Sequence, residues 1–257
     1  MTSAPDKLSS PLRVAVITPY FGESIEILDI CHRSVLNQSY PCAHFLVSDG
    51  SPRAAEVQKW RAEHITLPRP HGDVGNTPRC IGSLVAKNQG FDAIAYLDGD
   101  NWYYPNHIES MVRLHRETGA AVCSAARTIH RPDGTMMYTD TFDSNGQQHV
   151  DTSCYFFARQ AYGLLPLWGM MPHELGPIGD STMWNVILAQ GLARAHQRAP
   201  TVAFRTQYKA HYARIGEQPP PGAKGPESTQ AAVKWWDALD PAQQQAWRRY
   251  FAASVIL

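Results

Sequence analysis

Two aspartates separated by one glycine offer the clearest chemistry in the chain. Asp98-Gly99-Asp100 follows directly on the apolar segment 92–97, and Asn101 comes next. Two carboxylates at the end of a strand can bind a divalent cation, since Mg²⁺ and Mn²⁺ prefer oxygen ligands and usually share them with substrate phosphates. A polar turn is the alternative interpretation, because acidic turns are common and this tripeptide alone is a weak motif.

The first half of the chain alternates strand-like and helix-like segments, which predicts an α/β fold with a mostly parallel twisted sheet flanked by helices. Apolar runs predict strands at 13–18 (ended by Pro19), 44–48, 65–67, 92–97 and 120–126. Helical spacing predicts helices at about 23–37, 54–63 and 79–88, and Asn106 with Glu109 predicts a capping box for a further helix. Polar residues follow the strands, at the edge of the sheet where open α/β folds bind ligands.

The second half is less regular. Pro132-Asp133-Gly134 predicts a hairpin turn, 154–157 a strand, and 180–191 a helix. The run Pro219-Pro220-Pro221-Gly222 marks a linker, and three tryptophans lie in two predicted C-terminal helices, namely Trp235, Trp236 and Trp247. We therefore expect a main domain at 1–218, with halves at 10–105 and 106–218, and a short helical appendage at 219–257.

Composition excludes several classes of protein. The chain has 257 residues, of which 44% are hydrophobic and 18% charged, as is typical of a globular protein. Lys plus Arg and Asp plus Glu number 23 each, so no basic excess points to nucleic acid. The five dispersed cysteines predict reduced thiols. No apolar run approaches the roughly 20 residues that span a bilayer, and the first ten residues lack the apolar stretch of a secretory signal, so we expect a cytoplasmic protein.

Several short motifs stand in a recognisable order. They are Thr18-Pro19-Tyr20, residues 34–40, Asp49-Gly50-Ser51, Gly75, residues 79–82 and Asp98-Gly99-Asp100. In this order and spacing, residues 14–52 and 72–105 resemble the nucleotide-binding half of family-two glycosyltransferases with the GT-A fold. The resemblance implies a sugar transferase that uses a nucleotide-diphosphate donor, most simply a UDP-sugar, and Mn²⁺ or Mg²⁺. It makes 10–105 the nucleotide-binding half and 106–218 the acceptor half.

The same resemblance assigns roles to individual residues. Thr18, Pro19 and Tyr20 would line the nucleoside pocket, and Asp49 and Arg79 would contact the base. Asp98 would hold the ribose or an adjacent hydroxyl. Asp100 would bind the metal that bridges the donor diphosphate, because a cation neutralises the departing diphosphate.

Two more roles fall in the acceptor half. Inverting transfer needs a carboxylate that deprotonates the acceptor, and family position points to Asp180. An N-cap role for Asp180 is the alternative, since aspartate is a favoured N-cap and a helix begins there. A downstream histidine completes the metal site in some GT-A enzymes, which makes His211 a candidate ligand, although most single histidines are not ligands. Asp151 and the segment 168–174 are candidates for shaping the acceptor pocket.

The chain departs from the family pattern at three positions. Ser48 precedes Asp49 where a second aspartate is usual, Cys80 replaces the asparagine after Arg79, and Gly179 replaces the acidic residue before Asp180. The first two leave the base of the nucleotide open, and the third bears on the catalytic base.

Two other functions remain open from the sequence. A nucleotidyltransferase acting on a sugar phosphate would need a basic, glycine-rich loop after the first strand, where residues 18–23 contain neither Lys nor Arg. A non-catalytic nucleotide-sugar-binding module is compatible with the changes at Ser48 and Gly179. The donor sugar, the acceptor and the oligomeric state are undetermined.

Overall fold

The computed structural model describes residues 11–50 and 53–253, and within them nine strands form one sheet. The strands are β1 (Val14–Tyr20), β2 (Cys42–Ser48), β3 (Glu63–Thr66), β4 (Ala93–Tyr96), β5 (Trp102–Tyr103), β6 (Val122–His130), β7 (Met136–Asp140), β8 (Tyr155–Ala158) and β9 (Arg194–Arg205). Their order is β3-β2-β1-β4-β8-β6-β9-β5, and β7 pairs with β6.

Helices cover the sheet. They are α1 (Ile25–Leu36), α2 (Ala54–Val57), α3 (Asn76–Asn88), α4 (His107–Thr118), α5 (Leu167–Met170), α6 (Gly179–Ala189), α7 (Lys209–Arg214), α8 (Glu227–Ala238) and α9 (Pro241–Ala253). Short 3₁₀ turns occupy 152–154, 159–164 and 173–178. The predicted α/β architecture with a C-terminal helical appendage is confirmed.

The sheet has a parallel part and a mixed part. Strands β3, β2, β1 and β4 run parallel, as the alternation of strands and helices predicts. Beyond β4, strand β8 is antiparallel to both β4 and β6, whereas β6 and β9 are parallel. The predicted hairpin turn at 132–134 joins the antiparallel pair β6 and β7.

Strand β1 runs two residues further than the sequence predicts. Pro19 was expected to end it, yet Pro19 lies opposite Val47 and Tyr20 opposite Ser48 in the parallel register with β2. The pairing of β1 with β4 ends at Ile17 and Tyr96. Proline lacks only an N–H donor, so it is tolerated where the neighbouring strand has already ended.

Helix α3 packs closely on the parallel strands. A Cβ on Gly82 would lie 2.7 Å from Ile17 Cγ2 and 2.8 Å from Val47 Cγ2, so only glycine permits this approach. The helix begins at Asn76, three residues before the predicted start, after Gly75 in the left-handed conformation (φ 82°). This early start points the first turn of α3 at the carboxyl ends of β1 and β4.

Two local predictions are wrong, and one strand was not predicted. Asn106 makes no side-chain capping bond at the start of α4, and Glu109 Oε2 instead accepts a 2.7 Å hydrogen bond from Ser39 Oγ. Helix α2 ends at Val57 rather than near residue 63, because β3 already begins at Glu63. Strand β9 was not predicted, since its sequence is largely polar and contains Pro200.

The two predicted C-terminal helices are present as α8 and α9. Helix α8 packs on the 3₁₀ turn 173–178 through the buried Ala232, and the half-buried Trp235, Trp236 and Trp247 contact the core. The division of the chain between 218 and 219 stays a prediction. No helix in the described part of the chain is both long and apolar enough to cross a bilayer.

Candidate active site

A cavity of about 410 Å³ lies at the carboxyl ends of β1, β2 and β4, within the usual size range of small-molecule sites. Six of the residues predicted to form a site line this one cavity: Pro19, Tyr20, Asp49, Arg79, Asp98 and Asp100. Residues far apart in the chain meet here because parallel strands deliver their carboxyl ends to one edge of the sheet.

Thr18, Asp180 and His211 are not among the lining residues. The Thr18 side chain is fully buried below the cavity, and its Oγ1 lies 2.9 Å from His44 Nε2. Tyr20 does line the cavity, but its hydroxyl is 2.7 Å from His64 Nε2 and accepts from the Arg53 amide. Thr18 and the Tyr20 hydroxyl therefore support the cavity wall.

Asp98 is held from two sides. Its Oδ1 accepts a 2.6 Å charged hydrogen bond from Arg79 Nη2, and its backbone N–H donates to Ser153 Oγ at 3.2 Å. Arg79 is fixed in turn by Val74 O at 2.9 Å and Asn76 Oδ1 at 3.1 Å. Only 7% of the Arg79 side chain is exposed, so this ion pair is rigid and partly desolvated.

Asp100 has fewer donors. Gln207 Nε2 donates to its Oδ2 at 3.0 Å, while Arg205 Nε donates to its backbone carbonyl at 3.0 Å. Burial, followed by the negative charges of Asp98 and Glu23, raises the pKa of Asp100 to about 7. A positive charge placed beside this carboxyl group would stabilise its ionised form and lower its pKa.

The donor set at this point fits a hard divalent cation. Asp98, Asp100 and Glu23 line the same cavity and offer carboxylate oxygens, and burial, followed by the charges of Asp98 and Glu23, raises the pKa of Asp100. Within residues 11–50 and 53–253, no three acidic, histidine or cysteine side chains form a complete ligand group. In magnesium sites one or two carboxylates can hold the ion while substrate phosphates and water supply the remaining ligands.

Asp49 lies in the tight turn after β2. Its two oxygens accept from the His71 amide at 3.1 Å each, and its Oδ1 also lies 2.7 Å from His71 Nδ1. Gly50 adopts φ 78°, and a side chain there would collide with the backbone at Pro70. The third residue of this motif, Ser51, lies outside the described residues.

Asp180 sits in the first turn of α6, and the alternative prediction that it is the N-cap is wrong, because Ile178 occupies that position. Its Oδ1 accepts from the Ser181 amide at 2.7 Å, and its Oδ2 lies 3.1 Å from His149 Nε2. Burial alone would raise the pKa of Asp180, but the hydrogen bond and charge of His149, together with the Ser181 amide and the charge of Arg127, lower it. Asp180 is therefore kept as a carboxylate.

A buried ionic cluster adjoins this pair. Arg127 Nη1 lies 2.6 Å from Asp151 Oδ2, and Arg127 Nε lies 2.9 Å from Asp140 Oδ2. Burial raises the pKa of Asp151 to about 6, despite the opposing charge of Arg127. Asp151 Oδ2 is paired with Arg127, and its Oδ1 accepts from the Ser153 amide at 3.0 Å; its role beside the acceptor stays a prediction.

His211 points into a different environment. Its Nδ1 lies 2.6 Å from Thr206 Oγ1, and its Nε2 lies 4.0 Å from Asp143 Oδ2. Burial lowers its pKa to about 4, so the ring is neutral. The structure does not bring His211 to the cavity that Asp100 lines, and its role as a metal ligand stays a prediction.

Sequence reasoning missed several polar or charged residues that line the cavity, namely Glu23, Arg205, Gln207, Tyr208 and Lys224. Tyr208 and Lys224 are joined as a parallel β-bridge, with Lys224 N donating to Gln207 O at 2.6 Å and Lys209 N donating to Lys224 O at 2.9 Å. No local motif marks these positions. Glu23 lies in the turn between β1 and α1, and the others reach the cavity through the end of β9 and its contact with the appendage.

The sequence profile of the glycosyl transferase family 2 matches residues 15–173, which is more than half of the chain. This stretch includes β1 to β8 and the cavity residues from Pro19 to Asp100. No curated protein sequence matches the chain at a significant level.

Solved structures show the same fold at low identity. TarS 1–349 from S. aureus, solved in complex with UDP, superposes with a TM-score of 0.58 and 11% identity, covering 92% of this chain and 78% of TarS 1–349. TarS 1–349 solved separately gives a TM-score of 0.57 and 12% identity, with 95% and 71% covered. A further TarS structure gives 0.56 and 12%, covering 87% of this chain and 42% of TarS. At this identity the likeness is one of fold.

Proposed function

This chain belongs to glycosyl transferase family 2 and is a glycosyltransferase, and we propose that it transfers a sugar from a UDP-type donor to an acceptor hydroxyl or amine, with inversion and with a divalent cation. The observation that carries the proposal is the cavity in which Asp49 and Arg79 adjoin the Asp98 and Asp100 carboxylates. A nucleotide diphosphate requires two features, namely polar groups that bind the base and carboxylates that bind a cation beside the phosphates.

The donor would lie along the carboxyl ends of the parallel strands. Its base would face Asp49, with Pro19 and Tyr20 beside it, and its ribose would approach Asp98. Asp49 is held by His71 and retains further acceptor capacity, since a carboxylate has about four lone-pair sites. UDP is also the ligand in the TarS 1–349 complex, which supports testing this nucleotide first.

The diphosphate would lie between the carboxylates and the positive side of the cavity. Asp100 would hold the cation with help from Asp98, and Arg205 and Lys224 line the same space. When bound, Mn²⁺ or Mg²⁺ offsets the charge that develops on the departing diphosphate.

Asp180 would act on the acceptor. As the acceptor oxygen or nitrogen attacks the anomeric carbon, its proton passes to the Asp180 carboxylate. The bond between the anomeric carbon and the diphosphate oxygen breaks, and its electron pair leaves with the nucleoside diphosphate. The lowered pKa of Asp180 keeps the group ionised and able to accept that proton.

Metal-coupled nucleotide binding is the first test. We expect UDP with Mn²⁺ to raise the melting temperature more than either alone, since each ligand completes the other's site. Asp100→Asn should abolish this coupling, while Asp237→Asn on the exposed face of α8 should retain it. Equal stabilisation of Asp100→Asn and the unaltered protein would contradict the cation site.

Turnover is the second test. The unaltered protein should consume a UDP-sugar only with a divalent cation, and Asp180→Asn should keep UDP binding and lose about 10²-fold or more in kcat, as expected for a general base. The product should show an inverted anomeric centre by NMR. Nucleotide binding without consumption of any donor would favour a non-catalytic module, and release of pyrophosphate from UTP would favour a nucleotidyltransferase.

A further inference from the structure

The candidate base Asp180 is paired with His149, a residue that belongs to none of the sequence motifs. His149 Nε2 lies 3.1 Å from Asp180 Oδ2, and the two side chains are similarly accessible, 25% and 24% exposed. The remaining carboxylate oxygen faces the Ser181 amide. The Ser181 hydroxyl also donates to Oδ1, at 3.5 Å, so these donors fix the plane of the carboxylate and leave a lone pair open to a proton from an acceptor.

The backbone of His149 is held by hydrogen bonds within its own loop. The amides of Asn145 and Gly146 both donate to the His149 carbonyl, at 3.2 and 3.3 Å. Gly146 has φ 69° and packs against the His196 ring, where a Cβ would collide. An otherwise exposed segment is held by these contacts in one conformation.

The same loop is tied to the helix that carries Asp180. Trp184 Nε1, one turn along α6, donates to Gln147 O at 3.0 Å, two residues before His149. Tyr155 Oη from β8 donates to the Asp180 carbonyl at 3.1 Å. The histidine and the carboxylate are therefore positioned relative to each other by three elements of the fold.

We propose that His149 is a positioning residue for the catalytic carboxylate, orienting Asp180 through the Nε2 hydrogen bond for proton transfer from the acceptor. The inference rests on the proposed function, in which Asp180 is the base.

The electrostatic surroundings favour this arrangement. Burial would lower the pKa of His149, but its hydrogen bond with Asp180 and the charges of Asp180 and Asp151 raise it. The pKa of Asp180 is shifted the opposite way. The charged or titratable groups that act on the pair from the packed elements are Arg127 on β6, Asp151 before β8, Tyr155 on β8 and Tyr208 before α7.

These shifts give the pair a definite pH dependence. As pH falls, His149 becomes protonated and its charge keeps Asp180 ionised. Without the ring, only the Ser181 amide and Arg127 oppose burial, so the carboxyl pKa is higher and a larger fraction of the base is protonated as pH falls. The loss of kcat on removing His149 should therefore increase from pH 8 to pH 6.

The test compares kcat for His149→Ala and His149→Gln with the unaltered protein from pH 6 to pH 8, at saturating UDP-sugar and Mn²⁺. Ratios of kcat cancel any pH effect at the cation site. We expect His149→Ala to lose about 10- to 100-fold in kcat, the size of loss that follows removal of a residue that orients a ligand or catalytic group by a hydrogen bond. The KM for donor and the affinity for UDP should stay within about twofold, since the pair lies outside the donor cavity.

The glutamine variant separates the hydrogen bond from the charge. A glutamine side chain retains an N–H donor and has no titrating ring, so His149→Gln should recover most of kcat at pH 8 and little at pH 6. His115→Ala is the matched control, because this histidine also makes one ring hydrogen bond, to the Ala120 carbonyl, but does not contact Asp180. This control should give a kcat ratio that does not change with pH.

A second measurement does not depend on turnover. In the intact protein, NMR titration should place the His149 pKa above 6.5, and Asp180→Asn should lower it because the carboxylate charge is gone. A His149 pKa that is unchanged in Asp180→Asn, or a His149→Ala kcat ratio that is flat with pH, would overturn the inference.

Failure of the inference is distinguishable from failure of the proposed function. If Asp180→Asn retains full kcat, Asp180 is not the base and both fall. If Asp180→Asn is inactive while His149→Ala behaves like the unaltered protein at every pH, only the positioning role falls. UDP binding by each variant shows that it is folded.

Discussion

Arg79 Nη2 lies 2.6 Å from Asp98 Oδ1, so the first turn of α3 and the end of β4 are joined by one ion pair at the cavity wall. The Arg79 guanidinium also lies 5.5 Å from the centre of the Trp168 ring. Three hydrogen bonds and an aromatic contact therefore fix the Arg79 guanidinium beside the carboxylates. The ion pair balances the charge of Asp98, whereas neither Asp100 nor Glu23 forms an ion pair within the described residues.

Replacing Arg79 tests whether this ion pair shapes the donor site. In Arg79→Gln the partly buried Asp98 loses its charged donor, and Asp98 and Asp100 then repel each other more strongly. We expect UDP affinity in Mn²⁺ to fall about 10-fold or more, corresponding to roughly 1.4 kcal/mol or more. Calorimetry measures this directly. Arg113→Gln on the exposed face of α4 is the control, and equal affinities for the two variants would contradict the role of Arg79.

Lys224 tests whether the appendage contributes to the donor site. Its side chain lines the cavity, with Nζ 5.9 Å from the centre of the Tyr208 ring. In the described residues no carboxylate forms an ion pair with it, so its charge is available to a diphosphate. Lys224→Ala should weaken UDP binding about 5- to 10-fold, as expected for losing one charged hydrogen bond, and leave uridine binding unchanged.

Lys234→Ala is the matched control for this experiment, because Lys234 is an exposed lysine on α8. An equal loss for uridine and UDP in Lys224→Ala would indicate a general disturbance of the cavity. Unchanged UDP binding would remove Lys224 from the donor site.

The sequence predicts well which residues line the cavity at the carboxyl ends of β1, β2 and β4, because these residues follow their strands closely in the chain. Strands β1, β2 and β4 are short apolar runs, and Asp49, Asp98 and Asp100 follow such runs directly. Once the strands are parallel, their carboxyl ends must meet, and the residues after them share one edge. No knowledge of distant contacts is needed for that step.

The remaining parts of the site depend on distant contacts. Strand β9 is polar and partly exposed, so its sequence lacks the apolar signal of a strand, and Arg205 and Gln207 at its end were missed with it. His149 and Lys224 lie in loops whose position is set by α6 and by the bridge to Tyr208. Neither loop carries a periodic pattern from which its place could be predicted.

Gly50 tests the turn that presents Asp49. Its φ of 78° is strained for any other residue, and a Cβ would collide with the Arg69–Pro70 backbone. Gly50→Ala should destabilise the protein by about 2 kcal/mol or more and weaken UDP binding, since the collision displaces His71 from Asp49. Gly22→Ala is the control, because Gly22 has no neighbour within 4 Å of the added carbon. Thermal unfolding with UDP titration measures both effects, and two equally stable variants would contradict the prediction.

His107 gives the protein a predictable acid sensitivity. The ring is fully buried against Tyr103, its Nδ1 lies 2.8 Å from Thr201 Oγ1, and burial lowers its pKa to about 3. The unfolded chain binds a proton at this site near pH 6.5 and the folded protein does not, so stability is complete above that pH and falls as pH decreases toward 3.

The expected slope for this one group is about 1.4 kcal/mol per pH unit between roughly pH 6 and pH 4. His107→Phe keeps a ring of similar shape, leaves Thr201 without its partner, and should lower stability at pH 7 by roughly 1 to 3 kcal/mol. Its stability should nevertheless decline less steeply with acid, because one proton-binding site has been removed from the unfolded chain. Urea unfolding of both proteins from pH 7.5 to pH 5 measures the two slopes, and identical slopes would mean that His107 is protonated in the folded protein.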